Sequence, residues 1–288
     1  MILGVDVCDD AVRTVAVDRE GKPVQHDYRP IAPDAVAAAL RSLASERIDT
    51  LGVAVHGWFD QSLKQAAIAA AASFGCEPRF VTRGAAYAVA EHWLGAARTS
   101  GHVVALLADD HVDAGILIDG QIFSGGHGLA GAAAWLSLNP VERDDYRRFG
   151  CLESEVSAPG IVQRLIWRVK VGDPSQAVDL AGGDMAAITT AHVFDAARQG
   201  DGVALGVVRD TARYLGMAVA NLAAALDPDV VVIGGLVTHA SDVLLATCRA
   251  EALRRVPPEM ASRLQVIAGE LGEDAVAVGA ARAAMLAP

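Results

Sequence analysis

Lysine is almost missing from this sequence. Only Lys22, Lys64 and Lys170 occur, so arginine carries nearly all the positive charge. Even together, 24 Lys and Arg are outnumbered by 35 Asp and Glu, and the net charge is −11. That balance argues against a nucleic-acid or anionic-membrane partner, which demands a basic footprint. Cysteine is also scarce. Cys8, Cys76, Cys151 and Cys248 stand far apart with no CxxC pair, so no zinc site is legible from the thiols alone. No secretory start is present, which points to a reduced, cytoplasmic setting. The longest apolar stretches, such as 214–226, fall short of the ~20 residues that cross a bilayer.

What is there is a globular chain. A length of 288 residues predicts about two domains. Hydrophobic residues are 52% and charged residues 20%, which supports a large core and excludes disorder. Met1–Val7 reads as a buried strand, Ala11–Asp18 as a second, and Arg19-Glu20-Gly21-Lys22 as a hairpin turn. Helices are predicted over 35–46, 61–74, 84–94, 158–169, 187–199, 204–226 and 274–286. Strands are predicted over 50–55, 78–82, 103–108, 114–118, 230–233 and 264–268. Hairpin strands followed by β-α alternation, with a restart at Val103, argue for two α/β lobes sharing an intimate cleft. The expected boundaries are 1–100 for an N-terminal lobe, completed by the helix at 273–288, and 101–272 for a C-terminal lobe.

Five segments, in order, resemble the ROK family of repressors, open reading frames and sugar kinases. They are LGVDV (Leu3–Val7), GILIDGQIFSGGHGLAG (Gly115–Gly131), GCLES (Gly150–Ser154), DPDVVVIGG (Asp227–Gly235) and GEDAVAVGAA (Gly272–Ala281). The resemblance spans almost the whole chain. It implies the two-lobed α/β actin-like ATPase (ribonuclease H-like) fold of the sugar kinase–actin superfamily, closing over ATP and a sugar, and it implies a homodimer. Fold does not carry function, so each site needs its own test.

The functional positions depart from the family pattern. Where family kinases place a glycine-rich first phosphate loop, this chain has Cys8-Asp9-Asp10-Ala11, whose carboxylates repel phosphate. The second phosphate loop matches Asp109-Asp110-His111-Val112-Asp113. The catalytic Asp of the family matches Arg83, and a guanidinium with a pKa above ~12 does not accept a proton at neutral pH. After His127-Gly128-Leu129-Ala130-Gly131, the family's Glu and His are replaced by Ala132-Ala133-Ala134-Trp135. The zinc cysteines match Asp144, Tyr146 and Cys151, so structural zinc is not expected. The loop at His56-Gly57-Trp58-Phe59-Asp60 looks shortened. Gly234 and Gly235 remain of the nucleotide site, and a Gly-Gly strand end is equally a requirement of the fold. ATP is not an expected ligand.

In the implied fold, Asp9, Asp10, Asp109, Asp110, His111 and Asp113 converge, with Arg83 and His56 nearby. Three readings follow: a divalent-cation site built from oxygens, an internal network with Arg83, or an acid and base for new chemistry. In the third reading, Asp110, His111, Asp113 and Arg83 are the catalytic candidates. Asp9, Asp10, His56, Trp58, Asp109 and His127 are the ligand-cleft candidates. Trp58, Trp93 and Trp135 either line an apolar pocket or pack as core. The reading adopted is a catalytically degenerate sugar-kinase homologue that binds a small molecule or protein partner. The alternatives are a remodelled enzyme using the Asp/His cluster and an active ATP-dependent sugar kinase. The chain begins at its first strand, so the DNA-binding helix-turn-helix of the family's repressors is not expected.

Overall fold

A computed structural model describes residues 1–8, 10–32, 34–43, 47–56 and 61–286, without the side chains of 61–63. The chain opens with β1 (Ile2–Val7), β2 (Ala11–Val17), β3 (Pro23–Pro30), α1 (Ala35–Leu43), β4 (Thr50–Val55) and α2 (Gln61–Ala72). Next come β5 (Pro78–Thr82), α3 (Arg83–Trp93), β6 (Val103–Ala108), β7 (Val112–Ile118) and β8 (Gln121–Ile122). A helical stretch follows: α4 (Asp144–Phe149), α5 (Cys151–Val156), α6 (Ala158–Lys170), α7 (Gln176–Leu180), α8 (Thr190–Arg198) and α9 (Gly202–Leu226). The chain closes with β9 (Val230–Gly235), α10 (Leu236–His239), α11 (Ser241–Leu253), α12 (Pro258–Ala261), β10 (Gln265–Ala268) and α13 (Ala275–Leu286). Two five-stranded sheets result, ordered β3-β2-β1-β4-β5 and β10-β9-β6-β7-β8. Both are mixed, since β1 is antiparallel to β2 and parallel to β4, while β9–β10 is parallel and β7–β8 antiparallel.

The chain divides into two compact units. The first comprises Met1–Leu107, Asp113–Gly131 and Gly269–Pro288. In it, strand alternation sorts the faces of β1. Leu3, Val5 and Val7 join Val36 and Leu40 of α1 in one core cluster. Each such buried side chain stabilises the fold by about 1.5–3 kcal/mol. Gly4 faces the opposite way, toward α13, and Gly52 on β4 does the same. A Cβ there would sit 1.8 Å from the Ala277 carbonyl oxygen at Gly4 and 1.9 Å from that of Ala280 at Gly52. The helix backbone therefore lies directly on the sheet, which only glycine permits. Asp6, two residues after Gly4, points to this same side. At the end of α3 the buried Glu91 carboxylate accepts from the amides of Ala96, Glu270 and Leu271, tying the entry of α13 to α3.

The second unit comprises Ala108–Val112 and Ala132–Ala268. Its axis is α9, started by the Asp201 carboxylate accepting from Ala204 N–H and ended at Asp227 in a left-handed conformation. The helices α5, α6, α8 and α11 pack against it. The predicted helices fall within a few residues of those observed. The stretch 236–263 carried no prediction and forms α10, α11 and α12. Among the described residues, no helix is long and apolar enough to cross a membrane.

Candidate functional site

Three features of the first unit bear on function. The first is Arg83. It opens α3, directly after Thr82, whose hydroxyl caps the helix by accepting from Ala85 N–H. Its guanidinium reaches back to β1 and donates to both Asp6 carboxylate oxygens, Nε at 2.7 Å and Nη2 at 3.2 Å. The side chains are 6% and 1% exposed. The Cys8 thiol also donates to Asp6, at 3.3 Å. Burial first, and the Asp6 charge second, push that thiol up to about 12. Arg13 donates to the Cys8 sulfur at 3.5 Å. Arg83 thus meets an acid inside the opening strand, one that sequence reasoning did not nominate. The available signal was a carboxylate among the apolar residues of a buried strand.

The second feature is the turn after β1. The Cys8 N–H donates to the Ala11 carbonyl, and the Asp10 carbonyl accepts from Ile31 N–H. Asp10 itself is exposed, and Asp9 lies outside the described residues. The third feature is a cavity of about 640 Å3, bordered by β4, β5, α2, α13 and the segment 122–130. It brings together two predicted cleft residues, His56 and His127. His56 also faces the buried Asp113 of β7, Nε2 to Oδ2 at 3.8 Å. Lys64, Arg79, Thr82 and Ser124 supply further polar atoms to the lining. Trp58 lies outside the described residues.

The other two tryptophans do not line this cavity. Trp93 packs against the Val15–Val278 cluster, with the Arg282 guanidinium 4.6 Å from its ring centroid. Trp135, in the second unit, is 44% exposed. The pocket-lining expectation is not met at this cavity: Trp93, the last residue of α3, packs in a core cluster, and Trp135 ends a short 3-10 helix at Ala133–Trp135.

In the second unit, the acidic loop is wired to its own surroundings. Asp109 N–H donates to the His111 carbonyl, and the Asp109 carbonyl accepts from Ala158 N–H at the start of α6. Val112 N–H donates to Glu153 Oε2 at 3.0 Å. The other Glu153 oxygen is 3.1 Å from His111 Nδ1. Asp110 is exposed at the tip. Glu153, buried on α5, was not nominated as a site residue, although it lies in the GCLES segment. The Glu153 carboxylate, set against one imidazole nitrogen, orients the His111 ring.

The Gly234-Gly235 turn is demanded by packing. Gly235 has φ +70°, and a Cβ there would lie 2.1 Å from the Ala108 carbonyl oxygen.

The zinc-matching positions have other partners. The Tyr146 hydroxyl donates to buried Glu155, which also holds Arg143 at 3.1 Å and Arg164 at 3.3 Å. Burial raises the Tyr146 hydroxyl above its ordinary value, and the bond to Glu155 adds to this. Asp144 is exposed and Cys151 buried. A phenol committed to a carboxylate and a lone thiol do not make a zinc set.

Comparison with known proteins adds an independent line. The model of the ROK family matches residues 2–286. A glucokinase of Thermotoga maritima is 32% identical over 197 residues, 68% of this chain and 62% of that protein. NagC, a DNA-binding transcriptional dual regulator of Escherichia coli, is 31% identical over 185 residues, 64% of this chain and 44% of that protein. The chain thus matches less than two thirds of the length of these curated relatives. A solved ROK family glucokinase from Streptomyces griseus, in complex with glucose and AMPPNP, superposes with a TM-score of 0.86 at 24% identity. That alignment covers 99% of both chains and shows the shared fold.

Proposed function

Since the chain belongs to the ROK family, we propose that it is a member without ATP-dependent sugar phosphorylation, and that it binds a small molecule instead. The observation that carries this reading is the buried Arg83–Asp6 pair. The resemblance expects a carboxylate at position 83 to take the proton of a sugar hydroxyl. A guanidinium stays protonated at neutral pH, and here its Nε–Nη2 edge donates to Asp6. The acidic loop supports the same reading, because the amides of Asp109 and Val112 are already bonded within the protein. Backbone amides must be open to hold phosphate. The bonded amides of the 109–112 loop support a reading without ATP. The cavity that holds His56 and His127 is the binding site in this reading, since its size lies in the range of about 300–1,000 Å3 typical of small-molecule pockets. A cytoplasmic protein with four free cysteines accords with it.

The similarity to glucokinases favours a second reading, ATP-dependent sugar phosphorylation. One assay separates the two. Purified protein with ATP, Mg2+ and a hexose panel should release no sugar-dependent ADP. Sugar-dependent turnover within the usual enzymatic range of about 1–1,000 per second would overturn the proposal.

A further inference from the structure

We infer that the cavity of the first unit takes a neutral small molecule whose bulk is an apolar ring or chain carrying one hydrogen-bond acceptor. This rests on the small-molecule reading above and names the ligand class. Most of the described lining side chains are apolar, among them Val55, Phe80, Ile116, Ile122, Phe123 and Leu129. They belong to β4, β5, β7, β8 and the segment that follows β8, so several stretches of chain turn apolar surface toward one concavity. Removing such surface from water is the chief favourable term open to a ligand here, in proportion to the apolar area the ligand itself brings.

The polar part of the lining is largely engaged already. Arg79 and His56 each interact with other residues of the protein, His56 with Asp113 at 3.8 Å. The Lys64 ammonium lies 5.0 Å from the Phe80 ring centroid, in a cation–π contact. The Thr82 hydroxyl oxygen accepts from Ala85 N–H, which leaves its proton for one acceptor on a ligand. A polyhydroxylated ligand gives up water at every hydroxyl that meets an apolar wall, and each unreplaced bond weakens its binding. Phe123 and Leu129 add a second observation. They are 45% and 46% exposed, toward the two ends of a loop whose residues 124–129 are all exposed. The Ala130 N–H donates to the Ser124 carbonyl at 3.1 Å and closes the base of this loop, while Gly125 and Gly128 turn it at φ +72°. Two large apolar side chains of one cavity wall thus stand at the water boundary. An apolar ligand takes that surface out of water, and a polar one does not.

Isothermal titration of the full chain tests this with p-cresol, cyclohexanol and hexanol, and with glucose as the polar comparison. At least one of the three apolar probes is expected to bind tenfold or more tightly than glucose, with a negative heat-capacity change and no weakening as salt rises. The double variant Phe123→Ser/Leu129→Ser should lose at least tenfold in that affinity. Its melting temperature should stay close to the parent's, because both side chains are exposed. Lys64→Met removes a cation and keeps an apolar stem, so it should bind the apolar probes as the parent does. Glucose binding as tight as that of the best apolar probe would overturn the inference and leave the small-molecule reading standing. So would apolar-probe binding that is undiminished in the double variant or lost in Lys64→Met. Failure of all three apolar probes to bind would also overturn it. Sugar-dependent ADP release in the kinase assay would instead overturn the functional reading itself.

Discussion

Two buried acids, one in each unit, are held differently. Asp6, in the first unit, accepts two hydrogen bonds from Arg83 and one from the Cys8 thiol, and the Arg83 and Asp6 side chains are almost fully enclosed. Glu155, in the second unit, is shared by Tyr146, Arg143 and Arg164, and Arg143 remains 43% exposed. The first arrangement balances charge with no reserve. The second spreads one carboxylate over three donors, one of which can draw on solvent. A one-to-one buried pair is vulnerable to loss of either partner, whereas a shared carboxylate tolerates loss of one donor.

Breaking the first pair should have the largest effect. Arg83→Met leaves Asp6 buried and uncompensated, so urea unfolding should show a loss of about 3–5 kcal/mol. Adding Asp6→Asn in the same chain should recover much of that loss, because the charge left behind is removed. Equal damage in the single and double variants would show that packing, not charge, governs the site.

The second arrangement should break more gently. Tyr146→Phe removes one donor to a carboxylate, and a bond of that kind contributes about 1.5–3 kcal/mol. With Arg143 and Arg164 still in place, the expected loss lies at the lower end. A drop as large as that of Arg83→Met would refute the contrast. The pH sign also follows. Burial raises the Tyr146 hydroxyl above its unfolded value. Its contribution is therefore fully present below about pH 10 and declines as pH climbs beyond it. Ultraviolet titration of native protein should show Tyr146 ionising only above the ordinary phenol range.

The smallest expected effect sharpens the comparison at the same place. If Glu155 and its donors stand where other members place a metal, EDTA should leave the melting temperature unchanged. Elemental analysis should find no stoichiometric zinc. A chelator-dependent shift would return Cys151 to the role of a metal ligand.

The fold was legible to different depths along the chain. The helices α3, α6 and α9 could be read because apolar spacing is sustained over several turns and capping residues mark their starts. The short α10 and α12 could not, since four residues carry too little periodicity. The arginine at position 83 and the loss of glycine from both loops were visible directly. Their partners were not. Asp6 lies 77 residues from Arg83, and Glu153 lies 42 from His111.

Local pattern therefore determined which elements form and which charges stand at the family's functional positions. It also determined the acidic balance of the chain. The tertiary structure alone decided what those charges do. It brought the start of α3 to β1 through the parallel run β1-β4-β5, folded α5 beneath the acidic loop, and gathered His56, Lys64, Arg79 and His127 on one cavity. Hydrogen bonds and ion pairs act over a few ångströms, while the segments that supply them are tens of residues apart. No window of sequence contains both halves.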